Sequence, residues 1–102
     1  MLELRPTCEN CNKPLPPEST EARICSYECT FCASCTEGIL HNVCPNCGGG
    51  FVPRPVRPSK NWKGDNYLGK DPAGTRVRQR PVDPAAHDEF SENLRNIPPE
   101  KR

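Results

Sequence analysis

Eight cysteines fall within residues 8–47 as four close pairs, Cys8/Cys11, Cys25/Cys29, Cys32/Cys35 and Cys44/Cys47. A thiolate is both a nucleophile and a soft metal ligand, so spacing decides which chemistry is at hand. Two or three intervening residues place two sulfurs on one tight turn facing a single ion. Two such pairs complete the tetrahedral four-sulfur shell of a structural zinc site. Eight sulfurs therefore predict two Zn2+ ions, and closed shells leave no open position for hydrolysis at the metal.

Other cysteine chemistries fit less well. Structural disulfides belong to oxidising compartments, and Met1-Leu2-Glu3-Leu4-Arg5-Pro6 lacks the apolar run and cleavage site of a secretory signal. No stretch approaches the ~20 apolar residues of a membrane span, so a cytoplasmic protein with no membrane partner is expected. Cys29-x2-Cys32-x2-Cys35 repeats the first three ligands of a ferredoxin run, but Ile39 stands where the fourth cysteine would be. A free Cys-x-x-Cys thiol attacks disulfides; bound zinc blocks this, and partial zinc loss under oxidant leaves a redox sensor as a further alternative. His41 and His87 read as solvent-facing helix residues with no serine or carboxylate partner at catalytic spacing. No catalytic residue is assigned, and the expectation is a non-enzymatic protein.

The chain that must position these sulfurs has little else to fold with. Of 102 residues, 33% are hydrophobic and 6% aromatic. Residues 1–50 hold Leu2, Leu4, Leu15, Ile24, Tyr27, Phe31, Ile39, Leu40 and Val43 as their larger apolar side chains, too few for a self-sufficient core. Structural zinc supplies an apparent ~10–16 kcal/mol per site in finger peptides, comparable with or above the net stability of a whole domain. Without metal this head should be unfolded.

Two partitions of the ligands are open. A sequential one gives Cys8, Cys11, Cys25 and Cys29 to the first ion and the last four cysteines to the second. A cross-braced one gives Cys8, Cys11, Cys32 and Cys35 to the first and Cys25, Cys29, Cys44 and Cys47 to the second. Two residues between Cys29 and Cys32 barely separate independent fingers, which favours the cross-brace. The pattern resembles a RING-type finger with Cys29 in the usual histidine place: Phe31 precedes the fifth ligand, Ile39 and Leu40 fall on the short helix after the sixth, and Cys44-Pro45-Asn46-Cys47 matches the final knuckle. A LIM domain wants a longer second loop. Asn12 and Gly48, each following the second cysteine of a knuckle, suit the left-handed backbone such turns require. The RING likeness fails where a ubiquitin ligase needs its contacts, with Asn10, Ile39 and Gly48 in place of aliphatic, tryptophan and arginine residues. A shared fold does not fix function.

Over residues 1 to about 60, Leu2-Glu3-Leu4-Arg5-Pro6, Glu21-Ala22-Arg23-Ile24-Cys25, Glu28-Cys29-Thr30-Phe31-Cys32 and Cys44-Pro45-Asn46-Cys47-Gly48-Gly49 resemble a family of short bacterial proteins catalogued as a domain of unknown function (1272). That resemblance implies a zinc-binding fold in a bacterial cytoplasm and brings no activity with it.

Charge then divides the chain. Residues 1–50 carry three cations against six carboxylates, whereas residues 51–80 carry eight cations against two. Phe51-Val52-Pro53-Arg54-Pro55-Val56-Arg57-Pro58 excludes helix and favours an extended path. The expected organisation is a RING-like cross-braced two-zinc finger with one short helix and a small hairpin (1–50), a proline-rich basic arm (51–82), a short amphipathic helix carrying Phe90, Leu94 and Ile97 after the capping Asp83-Pro84 (83–97), and a disordered end (98–102). Binding a protein partner is the leading expectation. Nucleic acid held by residues 54–80, with Trp62 and Tyr67 stacking on bases, is the alternative.

Overall fold

The computed structural model describes residues 1–102. A small antiparallel sheet organises the head: β1 (Ala22–Ile24) pairs with β2 (Thr30–Cys32) in the register Ala22↔Cys32, Arg23↔Phe31, Ile24↔Thr30, and β3 (Val52–Pro53) joins the other side of β1. Strands this short carry few ladder bonds and need side-chain support. The β1–β2 connection is the Cys25–Cys29 spacer, closed by the Glu28 N–H to Cys25 O at 3.0 Å and the Cys25 N–H to Cys29 O at 3.2 Å. Glu28 takes φ 67° there. Its carboxylate accepts from the Glu3 N–H at 2.7 Å, which fastens the N-terminus to the hairpin.

α1 (Ala33–Gly38) follows β2 directly and buries Cys35 and Thr36. It stops short of Ile39, Leu40 and His41, which the sequence reading places on it. His41 and Asn42 adopt φ 52° and 58°, a left-handed pair that breaks the helix before the last knuckle. Leu4, Leu15, Phe31, Leu40 and Val43 are all 2% exposed or less. Ile24 and Ile39, apolar side chains of the same head, are only half-buried. Of the ten members of the main core cluster six are cysteines, so the ligand sulfurs themselves form much of the interior. Phe31 meets Phe51 edge-on, with ring centroids 5.4 Å apart.

The tail wraps the head. Arg54 is 4% exposed and has no carboxylate partner; its Nη1 donates to Arg5 O at 2.9 Å and its Nη2 to Leu15 O at 3.2 Å and Pro16 O at 3.0 Å. Arg57 similarly donates to Leu2 O and Asp71 O. Farther on, the Gly74 N–H meets Leu4 O, the Arg80 N–H meets Glu9 O, and the Val82 N–H meets Asn10 Oδ1. A buried backbone carbonyl needs a donor, and this proline-rich segment lends side-chain donors where its imide nitrogens have none.

α2 (Pro84–Ser91) begins where the Asp83-Pro84 signal places it, with the Asp83 carboxylate accepting from the Ala85 N–H at 3.1 Å. Its docked side differs from the expected apolar stripe. His87, read as exposed, is 4% exposed with Nε2 2.9 Å from Leu40 O, and Ser91 is fully buried, while Phe90 stays half exposed. The reason is that the helix ends at Ser91 and Leu94 lies in a separate 3-10 turn, so Phe90, Leu94 and Ile97 share no single helical face. Residues 98–102, given no order by the sequence reading, include another 3-10 turn over Pro99–Lys101. Pro99 sits against Gly50, where a Cβ would stand 2.7 Å from its Cγ. Arg102 donates to Ile97 O, Asn42 O and Gly48 O.

Candidate metal centre

The sulfurs gather in the interleaved arrangement. Those of Cys8, Cys11, Cys32 and Cys35 all lie within 4.8 Å of one another, as do those of Cys25, Cys44 and Cys47. Cys29, the eighth expected ligand, does not meet that separation with all three, although it is buried beside them. Both groups could hold a metal ion. All eight thiols are free.

Two knuckles build these sites in the same way. The Cys8 N–H bonds Lys13 O at 2.9 Å and the Asn12 N–H bonds Cys8 O at 3.0 Å; thirty-six positions on, the Cys44 N–H bonds Gly49 O and the Gly48 N–H bonds Cys44 O, both at 2.8 Å. Asn12 at φ 65° and Gly48 at φ 77° supply the left-handed turn predicted for them. Each knuckle also presents an asparagine just before its second cysteine. Asn10 Nδ2 donates to Cys35 Sγ at 3.2 Å, and Asn46 Nδ2 donates to Cys29 Sγ at 3.3 Å. Each knuckle asparagine thus donates to the second cysteine of the opposing pair, Cys35 within the four-sulfur group and Cys29 beside the three-sulfur group. The sequence reading missed both asparagines. The signal was present as the repeated Cys-x-Asn-Cys, but Asn10 was weighed there only as a departure from ligase contacts.

Further donors converge on sulfur. The backbone N–H groups of Tyr27, Asn46 and Gly49 point at the Sγ of Cys25, Cys44 and Cys47 at 3.3–3.4 Å. A neutral thiol gains little from such donors, whereas a thiolate is stabilised by them. Asn10 is itself oriented, because its Oδ1 accepts from the Val82 N–H at 2.8 Å and so leaves Nδ2 to face Cys35. Tail docking and the first site therefore meet in one side chain.

Metal fit follows from distance and protonation. A tetrahedral ion with ~2.3 Å metal–sulfur bonds has sulfur–sulfur edges of ~3.8 Å. Cys11 and Cys32 sulfurs stand 3.8 Å apart, far beyond a disulfide bond. Burial pushes the thiols of Cys8, Cys29, Cys35 and Cys44 up, so charge on these four sulfurs needs a compensating partner. At the exposed Cys11, burial acts upward as well, but the Lys13 N–H and the thiols of Cys8, Cys35 and Cys32 outweigh it and hold the value low. A divalent cation taken up here displaces protons and supplies the charge that burial otherwise opposes.

A family model described as a protein of unknown function (DUF1272) matches residues 1–57, a span holding every cysteine, both knuckles and the buried Arg54. An uncharacterized protein of Rhizobium meliloti (strain 1021) is 55% identical over 75 residues, covering 74% of this chain and 82% of that protein. No solved structure matches this chain.

Proposed function

Since the chain belongs to the DUF1272 family, whose function is unknown, its role has to be drawn from its own residues, and we propose a two-zinc, non-catalytic module that binds a protein partner. Cys8, Cys11, Cys32 and Cys35 hold one Zn2+, and Cys25, Cys29, Cys44 and Cys47 the other. The observation that carries this reading is the pair of congruent knuckles, each with amide donors aimed at sulfur. Zinc suits them because a closed four-thiolate shell makes no redox demand and contributes folding energy outright. Ions held there would tie the β1–β2 hairpin to the two knuckles and α1, and Asn10, Asn46 and the three backbone N–H groups would stabilise the negative charge of the sulfurs.

With the ions closed off, chemistry at the metal gives way to recognition at the surface. Met1, Ile24 and Val52 line a shallow, partly apolar depression beside Cys25, and Met1 and Val52 are well exposed. Phosphate binding along residues 54–80 has less support, because Arg54 is committed to three carbonyls of the head and Arg57 to Leu2 O and Asp71 O. Ligand thiols kept reduced fit the cytoplasm, and no helix is long and apolar enough to cross a membrane.

Elemental analysis of purified protein tests the metal: two equivalents of zinc are expected, with loss of the fold on chelation. Fewer than two, or the visible colour of bound iron, refutes it. Crosslinking capture from a bacterial lysate tests the role. The zinc-loaded protein should recover a defined protein that the chelated form does not; nuclease-sensitive material recovered instead would point to nucleic acid.

A further inference from the structure

The docked tail and the last knuckle enclose a groove that the metal sites leave unused. One part, of 540 Å³, is lined by Arg76, Arg78 and Arg80 of the tail and by Cys29 and Asn46 of the head. An adjoining part, of 320 Å³, shares Glu9, Asn46 and Arg80 with it and continues onto Val82, Ala86 and Phe90. A cationic end therefore runs into an apolar end. Of its cations, Arg5 is paired with Glu3 and Glu9, but the three from the tail are largely unspent: Arg76 and Arg80 make no side-chain ion pair or hydrogen bond, Arg78 has only a 3.6 Å approach to Glu3, and the Arg78 Nε is buried without a partner. The carboxylates nearby are engaged, Glu9 by Arg5 and the Thr30 N–H, Asp83 by capping α2.

We propose that this groove receives an extended acidic segment of a partner protein, with carboxylates on Arg76, Arg78 and Arg80 and an apolar side chain of the same segment against Val82, Ala86 and Phe90. Residues 72–83 contain no turn or bend. In a chain without turns, residues two apart stand at most ~6.6–7.2 Å apart, a reach that alternate residues of an extended ligand can match. Guanidinium and carboxylate then pair in their preferred planar, bidentate way. A long polyphosphate fits less well. Beyond this short stretch it would lie over a head with three cations against six carboxylates, to which thiolate-bound zinc adds further negative charge. The inference deepens the protein-binding role and rests on it.

Fluorescence anisotropy on the zinc-loaded full chain tests it. The probe is a fluorescein-labelled peptide of alternating glutamate and serine ending in leucine and phenylalanine. Micromolar binding is expected, weakened at least tenfold in the Arg76→Gln/Arg80→Gln double variant and at least threefold when the apolar pair of the peptide becomes serine. The Lys60→Gln/Lys63→Gln variant removes the same charge outside the groove and should bind as the parent does. Equal loss in both double variants, indifference to the apolar pair, or tighter binding of a labelled single-stranded DNA of equal charge would each overturn the proposal. Zinc content measured on the same samples separates the two readings: intact zinc with no peptide binding sinks only the groove, whereas missing zinc sinks the module.

Discussion

Arg54 is the most informative single residue to perturb, because two large effects of opposite sign meet in it. Its guanidinium is buried without a carboxylate, and burial lowers its pKa, the mark of an unfavourable environment for the charge. Taking such an ion out of water costs several kcal/mol. Against this stand three charged hydrogen bonds, to Arg5 O, Leu15 O and Pro16 O, at roughly 1.5–3 kcal/mol each. Replacing Arg54 by methionine keeps most of the stem, relieves the buried charge and orphans the three carbonyls at ~1–3 kcal/mol each, with water recovering part. If carbonyl satisfaction dominates, Arg54→Met loses about 3 kcal/mol, near two decades in the folding equilibrium. Arg54→Lys should fall between, losing about 1–2 kcal/mol, since one ammonium cannot reproduce a planar fork. Guanidinium denaturation followed by circular dichroism, with free zinc buffered to one value for all variants, reads these differences without metal mass action intruding. A methionine variant as stable as the parent, or more so, would refute the reasoning and make desolvation the larger effect.

Other outcomes follow from the metal centre and the tail. Cys32→Ser opens the four-sulfur cluster and removes a buried core member, so zinc should fall by at least one equivalent and most of the head's circular dichroism should be lost; retention of both ions would contradict the assignment of Cys32 as a ligand. Asn10→Ala and Asn46→Ala each remove a donor to sulfur and should weaken zinc affinity by ~10–100-fold in chelator competition, with unchanged affinity counting against the thiolate assignment. Gly50→Ala places a methyl 2.7 Å from Pro99 Cγ, so amide exchange over residues 97–102 should accelerate while zinc content holds. Removing residues 61–102 should likewise leave two zinc ions bound, because every sulfur and both knuckle ladders lie before Gly50; loss of metal would show that the tail is needed to form the sites.

What could be read from the chain alone is what local geometry controls. Cys-x2-Cys turns, the left-handed places at Asn12 and Gly48, and the Asp83 cap before Pro84 each depend on contacts within about five residues, and each stands as expected. Spacing argued for interleaving but left two partitions open. Their choice turns on how the segments between Cys11 and Cys25 and between Cys35 and Cys44 travel, and that path is set by side chains meeting in space. The same holds for Arg54, whose acceptors lie 38, 39 and 49 positions away, and for His87, whose partner Leu40 is 47 residues earlier. A cation among prolines reads as solvated until the carbonyls it must satisfy are known. Only the folded head, by leaving those carbonyls without donors of their own, turned part of a basic arm into its internal scaffold.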